Sequence, residues 1–383
     1  MSLHLRWMAC CVLFVAGHTY AEPWTEWRNA LAPAGEPGPK LTLSKNGATA
    51  YVVVIPEKAS TQERKAAEDL VFWLKEMTGV QFPVVPDATP ARDKEISIGA
   101  TNRLANVPEA RQDLKDEGYA IAVKGKRLFL LGGRVRGPIN AVYALLEEDL
   151  GCRWYSAASA TIPKRPTLCF RPVPRVFVPI LALRDPFYHV AFDGTWSLRN
   201  RTNAPSAGIP EEWGGNVNYA LFVHTFNTLV PPDTYFKDHP EYFMLGADGQ
   251  RSAQQLCTTN PEVIRIATES TLRILKENPN AEIISVSKND GGGACVCPAC
   301  KALDDAEGSN AASLLFLVNQ VAEAVEQEYP RVIVDTLAYL ETVKPPKTMR
   351  PRKNVAIRLC TDNCMWSRPF TPARVGARSG ASS

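Results

Sequence analysis

The segment Glu282-Ile-Ile-Ser-Val-Ser-Lys-Asn-Asp-Gly-Gly-Gly293 gives the strongest indication of the fold of the C-terminal half of this chain. Its first six residues predict a strand, which polar residues and glycines follow at once. Further strands are predicted at Val332–Tyr339 and Val355–Leu359, and helices begin at Pro261 and Ser309. Because strands alternate with helices, the pattern predicts an α/β fold with a parallel sheet buried on both faces.

The same alternation on both sides of this stretch predicts a TIM-type (β/α) barrel over residues 180–366, which begins with short strands. Ile180–Arg184 and Tyr219–Val223 are the first two of these strands. The alternation stops before the barrel is complete, and residues 367–383 have no periodic pattern. We interpret this tail either as an irregular terminus or as an early stop or frame error.

A second domain is predicted upstream, a small α+β domain over residues 37–155. Ser60 and Glu63 have the spacing of a capping box and predict a helix that Gly79 ends. Tyr119–Val123 and Arg127–Leu131 predict a hairpin, and Pro138 opens a second helix. A proline-rich connector, residues 156–179, joins the two domains.

The first 21 residues have the pattern of an export signal, with Arg6 before a short apolar core and small residues before Glu22. We therefore expect a periplasmic or extracellular protein, in which disulfides are allowed. The 43 basic and 40 acidic residues give a net charge of only +3, so no nucleic-acid partner is predicted. No apolar run reaches the roughly 20 residues that cross a bilayer, and the sequence carries no signal for an oligomeric state.

Two carboxylates follow neighbouring predicted strands and are the candidate catalytic residues. Asp290 comes directly after the strand at 282–287, and Glu341 comes just after the strand at 332–339. Polar residues at the carboxyl ends of barrel strands line active sites. Two carboxylates there suit acid and base roles on a glycosidic bond, with Asp290 as the proton donor. An ordinary Asp in a glycine-rich turn and a solvated loop Glu are the structural alternatives, and Asp362 is a weaker third candidate.

Five further polar residues are candidate substrate ligands because they lie at or after predicted strand ends or among aromatic residues. Arginine can clamp a carboxylate or sugar hydroxyls, whereas a single polar residue of this kind often makes only a structural hydrogen bond. These residues are Arg184, His224, His239, Asn289 and Tyr339.

Four cysteines are candidate metal ligands. Cys295, Cys297 and Cys300 lie within six residues, and Cys257 or Cys360 supplies a fourth sulfur. Four thiolates suit a tetrahedral structural zinc ion, and disulfides that pin the loop after Asp290 are the equal alternative. The predicted chemistry itself requires no cofactor.

Several motifs resemble known families. The small domain resembles the N-terminal domain shared by family 20 and family 67 glycoside hydrolases, through Gly132–Gly137, Ala141–Leu146 and Gly151–Tyr155. The C-terminal part resembles a bacterial family described as domain of unknown function 4838. The motifs that carry this second resemblance are His239–Phe243, Ser285–Asp290, the cysteines at 295, 297 and 300, and Asp335–Tyr339.

These resemblances cover about residues 40–366. The second family is distantly similar to the α-glucuronidases, which implies a (β/α)₈ barrel with a general acid near the position of Asp290. We therefore expect an exported glycoside hydrolase that acts on a polysaccharide or oligosaccharide, including one that contains uronic acids. A glycan-binding protein without activity and an inactive truncated gene product are the alternatives.

Overall fold

The computed structural model describes residues 32–361, and the chain divides into two compact units between Val178 and Pro179. The predicted export signal, the tail from 367, Asp362 and Cys364 lie outside the described residues. Among residues 32–361, no helix has the length and apolar character that a bilayer crossing requires.

Unit 1 contains a six-stranded mixed sheet, two separate two-stranded sheets and two helices. Its strands are β1 (Leu41–Ser44), β2 (Val52–Ile55), β3 (Val84–Pro86), β4 (Glu95–Ile98), β5 (Tyr119–Lys124), β6 (Arg127–Gly132), β7 (Arg153–Trp154), β8 (Ala160–Thr161), β9 (Leu168–Phe170) and β10 (Arg175–Phe177). Its helices are α1 (Thr61–Thr78) and α2 (Gly137–Ala144), and a π turn over Leu145–Asp149 continues α2.

The main sheet of unit 1 has the order β10-β5-β6-β4-β2-β3. Strands β5 and β6 pair antiparallel, which confirms the predicted hairpin. The Ser60 hydroxyl accepts a hydrogen bond from the Glu63 N–H, and the Glu63 carboxylate accepts one from the Ser60 N–H, so the predicted capping box of α1 is confirmed. Strands β8, β9 and β10 lie in the stretch predicted as a connector and pair within unit 1.

The glycines between β6 and α2 allow the backbone of the two elements to touch. A Cβ atom on Gly132 would lie 2.0 Å from the carbonyl carbon of Gly137, and one on Gly137 would lie 2.4 Å from the carbonyl carbon of Gly132. Only glycine fits such an approach. The glycine spacing therefore has a packing reason within unit 1.

Unit 2 contains the parallel sheet. Its strands are β11 (Tyr219–Leu221), β12 (Phe243–Leu245), β13 (Arg251–Leu256), β14 (Ile283–Ser285), β15 (Ile333–Ala338) and β16 (Val355–Leu359). Its helices are α3 (Gly194–Arg199), α4 (Phe226–Leu229), α5 (Pro232–Tyr235), α6 (Pro261–Glu277), α7 (Pro298–Glu307) and α8 (Ala311–Glu328).

The sheet of unit 2 has the order β11-β14-β15-β16, with every pair parallel, as the sequence predicted. Ile284 and Val334 share a core with buried side chains of α6 and α8, such as Val263 and Val321. Within the described residues the four parallel strands form an open row and do not close a barrel. The α/β prediction is therefore confirmed at the level of the parallel sheet.

The predicted first barrel strand, Ile180–Arg184, is wrong, because this segment is a loop. Ile180 is 97% exposed, so its apolar character reflects no buried strand. The buried Asn203 side chain holds the loop: its Oδ1 accepts from the Arg184 N–H at 2.7 Å, and its Nδ2 donates to the Ala182 carbonyl at 2.7 Å. The Asn203 side chain thus bonds backbone groups that a neighbouring strand would otherwise pair with.

Candidate active site

Asp290 and Tyr339 meet at the carboxyl ends of β14 and β15. The Tyr339 hydroxyl donates a hydrogen bond to Asp290 Oδ1 at 3.1 Å, and the Gly291 N–H donates to the same oxygen at 2.8 Å. The hydrogen bond from Gly291, and then that from Tyr339, lowers the pKa of the exposed Asp290 carboxyl. A proton donor at neutral pH needs a raised pKa, whereas these surroundings favour the ionised carboxylate of Asp290.

Glu341 lies at the same strand ends, which form the rim of unit 2, and makes an ion pair with Lys288. Lys288 Nζ donates to Glu341 Oε1, and the two side chains are only 4% and 20% exposed. Glu341 lies in a single turn that follows β15, and Leu340 in that turn has a φ of 50°, which a leucine rarely adopts. The glycine loop passes close by, since a Cβ on Gly292 would lie 4.0 Å from Glu341 Oε2.

His224 closes one side of this rim. Its Nδ1 lies 3.0 Å from the Lys288 carbonyl, and its ring centroid lies 6.2 Å from that of Tyr339. The residue has a φ of 57° and follows β11, so two non-glycine residues with left-handed backbone lie at the ends of these strands. Strained backbone of this kind clusters at functional sites.

Asn289 connects the rim to its neighbours. Its Nδ2 donates to Asn227 Oδ1 and to the Gln254 carbonyl, both at 2.8 Å, and its N–H donates to Gln255 Oε1 at 2.9 Å. The side-chain amide is therefore used to fix the loop that carries Asp290.

Arg184 and His239 serve contacts elsewhere in unit 2. Arg184 donates to the carbonyls of Arg201 and Leu181, both at 2.9 Å, and so organises its own loop. His239 pairs with Glu241 at 3.1 Å and stacks on Tyr242. The structure thus supports a ligand-facing position for neither of these two predicted residues.

A buried polar group on the sheet was missed by the sequence reasoning. Asp335 is 3% exposed, and its Oδ2 accepts from the Tyr219 hydroxyl at 2.8 Å. Arg358 donates to the same hydroxyl at 2.9 Å. Burial raises the pKa of Asp335, and burial, with the Asp335 charge second, raises the pKa of Tyr219 to about 12. The sequence feature that could have revealed this group is an acidic residue inside the apolar run of β15, since charged residues are rarely buried without a partner.

The four candidate cysteines converge in a second cluster. Cys257, Cys295, Cys297 and Cys300 are all buried, and their sulfur atoms lie within 4.8 Å of one another. Cys257, rather than Cys360, supplies the fourth sulfur. Hydrogen bonds from the thiols of Cys257 and Cys300 lower the pKa of Cys295. All four are free thiols here, and the 3.5 Å between the sulfurs of Cys257 and Cys297 exceeds the roughly 2.05 Å of a disulfide bond.

A small cavity lies between the rim and this cluster. Its volume is about 30 Å³, and Lys288, Glu341, Gln255 and Cys295 are among its lining residues. This volume holds about one or two water molecules. It is far below the roughly 300 Å³ at which ligand pockets begin, so a larger ligand would lie on the open rim.

The model of one protein family matches residues 154–377, which is more than half of the chain. Its description is domain of unknown function, DUF4838. The chain belongs to the DUF4838 family. The resemblance noted in the sequence is thereby confirmed, and the matched range includes the strand-end rim and the cysteine cluster of this DUF4838 protein. No curated protein matches the sequence.

Several solved structures are similar to the chain in backbone. A GH20 β-N-acetylhexosaminidase from Streptomyces coelicolor A3(2) has 14% identity and a TM-score of 0.46, over 86% of this chain and 68% of that one. A β-N-acetylhexosaminidase from Bacteroides fragilis has 13% identity and a TM-score of 0.40, over 86% and 69%. A family GH115 4-O-methyl-α-glucuronidase has 13% identity and a TM-score of 0.42, over 80% and 45%.

Proposed function

We propose that the strand-end rim of unit 2 binds a carbohydrate and hydrolyses a glycosidic bond in it. The observation that carries the proposal is a pair of carboxyl groups that follow neighbouring parallel strands and have different surroundings. Asp290 is exposed and has a lowered pKa, whereas Glu341 is largely buried beside Lys288. Enzymes separate an acid from a base by giving two titratable groups such different environments.

Each carboxyl group has a role in this proposal. Glycoside hydrolysis needs one group that protonates the leaving oxygen and one carboxylate that activates water or attacks the sugar. Asp290 is ionised at neutral pH and takes the proton of the attacking water, whose hydroxide joins the anomeric carbon. Glu341 relays a proton from Lys288 Nζ, which donates to Oε1, to the leaving oxygen as the C–O bond breaks. The proton that Asp290 has taken then returns to Lys288 through solvent, so that both groups regain their starting state.

The sugar would lie on the open rim above the glycine loop. The rings of Tyr339 and His224 offer apolar faces there, and sugar rings stack on such faces. Asn289 contributes by fixing the loop that carries Asp290. The substrate class that we propose is a polysaccharide or oligosaccharide, including chains with uronic acids, in keeping with the motif resemblance to α-glucuronidases.

Paired substitutions test the assignment. Asp290→Asn and Glu341→Gln should each lower kcat/KM on a cleaved glycan by about 100-fold or more, the size of an acid–base contribution. Asp233→Asn, an exposed carboxyl on α5, is the matched control and should leave the rate unchanged. Turnover by Asp290→Asn at the rate of the control would refute the assignment.

Glycan binding without cleavage is the second candidate function. The observation that favours it is that both carboxyl groups already accept hydrogen bonds within the protein. Tyr339 donates to Asp290, and Lys288 donates to Glu341. Calorimetric binding of a glycan that the protein leaves intact would support this function. Release of product from the same glycan would exclude it.

We also propose that the protein is exported and that residues 1–21 direct this export. The support is the charged start, the apolar core and the small residues before Glu22. N-terminal sequencing of protein recovered from outside the cytoplasm should begin at Glu22. Recovery of the full-length chain only from the cytoplasm would contradict export.

A further inference from the structure

We propose that Cys257, Cys295, Cys297 and Cys300 bind one zinc ion as a tetrathiolate site that holds the glycine loop in place. This site is independent of the proposed hydrolysis, because it rests on the four sulfur atoms and their surroundings alone.

The distances between the sulfur atoms fit a tetrahedral ion. Zinc–sulfur bonds of about 2.3 Å place the sulfurs of a tetrahedral site about 3.8 Å apart. The sulfur of Cys257 lies 3.5 Å from that of Cys297 and 3.9 Å from that of Cys300, and all four lie within 4.8 Å of one another. One ion therefore reaches all four sulfurs with small side-chain adjustments.

The ligands come from two separate elements, which is what a structural site requires. Cys257 follows β13 directly, whereas Cys295 and Cys297 lie in the loop before α7 and Cys300 lies in the first turn of that helix. Because 37 residues separate the first two cysteines, a bound ion would join two parts of the chain. Met244 and Leu245, at the end of β12, pack against the cluster.

Hydrogen bonds to sulfur provide a second, independent observation. The Leu245 N–H donates to Cys295 Sγ at 3.3 Å, and the Cys300 N–H donates to Cys297 Sγ at 3.5 Å. The hydroxyl of Thr259 lies 3.1 Å from Cys300 Sγ. Such donors orient thiolate ligands and offset their charge. Thiolate sulfur in a tetrahedral arrangement favours zinc over the hard cations that prefer oxygen.

The position of the site gives it a structural role. Only four residues separate Asp290 from Cys295, and three of them are glycines, whose backbone is otherwise poorly fixed. The Val296 N–H donates to the Leu245 carbonyl at 2.9 Å, so the same loop also pairs with β12. A zinc ion would anchor this loop at its far end and so hold the rim carboxylate at its near end.

Metal analysis of the full chain tests the site. The wild type and Cys169→Ser, a matched control in unit 1, should each hold about one zinc per chain. Cys300→Ser should hold several-fold less. Replacing the zinc with Co²⁺ should give the intense visible absorption of a tetrahedral cobalt thiolate in the wild type and in the control.

Counting free thiols in the wild type tests the site without depending on whether Cys300→Ser folds. The wild type, denatured without a reductant and in a chelator, should react with alkylating reagent at all four cluster cysteines. If mass spectrometry instead finds the four paired in two disulfides, with four hydrogens lost, the zinc site is refuted. Wild-type protein that binds neither zinc nor Co²⁺ while its four thiols are free refutes it equally.

Discussion

Replacing Lys288 with Met removes the ammonium group that holds Glu341 and keeps most of the side-chain volume. The Lys288 side chain is 4% exposed and that of Glu341 is 20% exposed, so water replaces the lost partner only partly. Loss of one partner of a buried ion pair costs about 3 to 5 kcal/mol, because the other charge stays behind without compensation. Since Glu341 keeps some access to water, we expect a loss just below this range, about 2 to 3 kcal/mol, in the free energy of unfolding.

Thermal and urea unfolding measure this loss. For a unit of this size each kcal/mol lowers Tm by about 2 to 4 °C, so Lys288→Met should melt about 4 to 12 °C lower. Lys301→Met removes an exposed ion pair with Asp305 and should change Tm little. Adding Glu341→Gln to Lys288→Met should restore much of the stability, which a double-mutant cycle would record. A Tm for Lys288→Met equal to that of Lys301→Met would show that Lys288 does not stabilise the buried carboxylate of Glu341.

Three further predictions concern other parts of the chain. Gly132→Ala should lower the free energy of unfolding of unit 1 by about 3 kcal/mol or more, because its Cβ would lie 2.0 Å from backbone atoms. Gly47→Ala, at a positive φ in open space, should lower it by only about 1 kcal/mol. Urea unfolding measures both. Burial raises the pKa of Asp335, so the folded protein keeps a proton on this carboxyl at a pH where the unfolded chain has lost it. The free energy of unfolding should therefore fall as the pH rises from about 4 through the raised pKa. Urea unfolding at a series of pH values should show this fall in the wild type and not in Asp335→Asn. Tyr339→Phe removes a hydrogen bond that favours the ionised form of Asp290, so the pKa of Asp290 should rise and the acid limb of the pH–rate profile should move to higher pH.

Each of these predictions has a contradicting result. Equal stability of Gly132→Ala and Gly47→Ala would mean that β6 and α2 do not meet as closely as described. A pH dependence for Asp335→Asn identical to that of the wild type would show that Asp335 does not titrate differently on folding. An acid limb that stays in place in Tyr339→Phe would remove Asp290 as the group that sets it.

Elements with strong local signals could be predicted from the sequence. Helix α6 runs from Pro261 to Glu277 as expected, because Asn260 caps it and proline is favoured at its first position. The alternation of apolar strands and helices was enough to predict the parallel sheet. Ile180–Arg184 failed because an apolar run does not reveal whether a partner strand exists, and here Asn203 takes that place.

The surroundings of the candidate site residues depend on contacts between distant parts of the chain, which a local sequence pattern does not show. The sequence placed Asp290 and Glu341 after neighbouring strands, and these strands are neighbours in the sheet. It could not supply the lowered pKa of Asp290, which depends first on the Gly291 N–H and then on Tyr339, 49 residues away. Nor could it supply the partner of Glu341, since Lys288 lies 53 residues from it in the chain.

Incubation in ¹⁸O-labelled water tests whether the rim hydrolyses a glycosidic bond. The protein is incubated with a library of neutral and uronic-acid-containing oligosaccharides, and new reducing ends are analysed by mass spectrometry. We expect products that carry one ¹⁸O atom at the new reducing end with the wild type and almost none with Asp290→Asn. Oligosaccharides that are bound but remain intact, or products that form without label, would contradict hydrolysis at the rim.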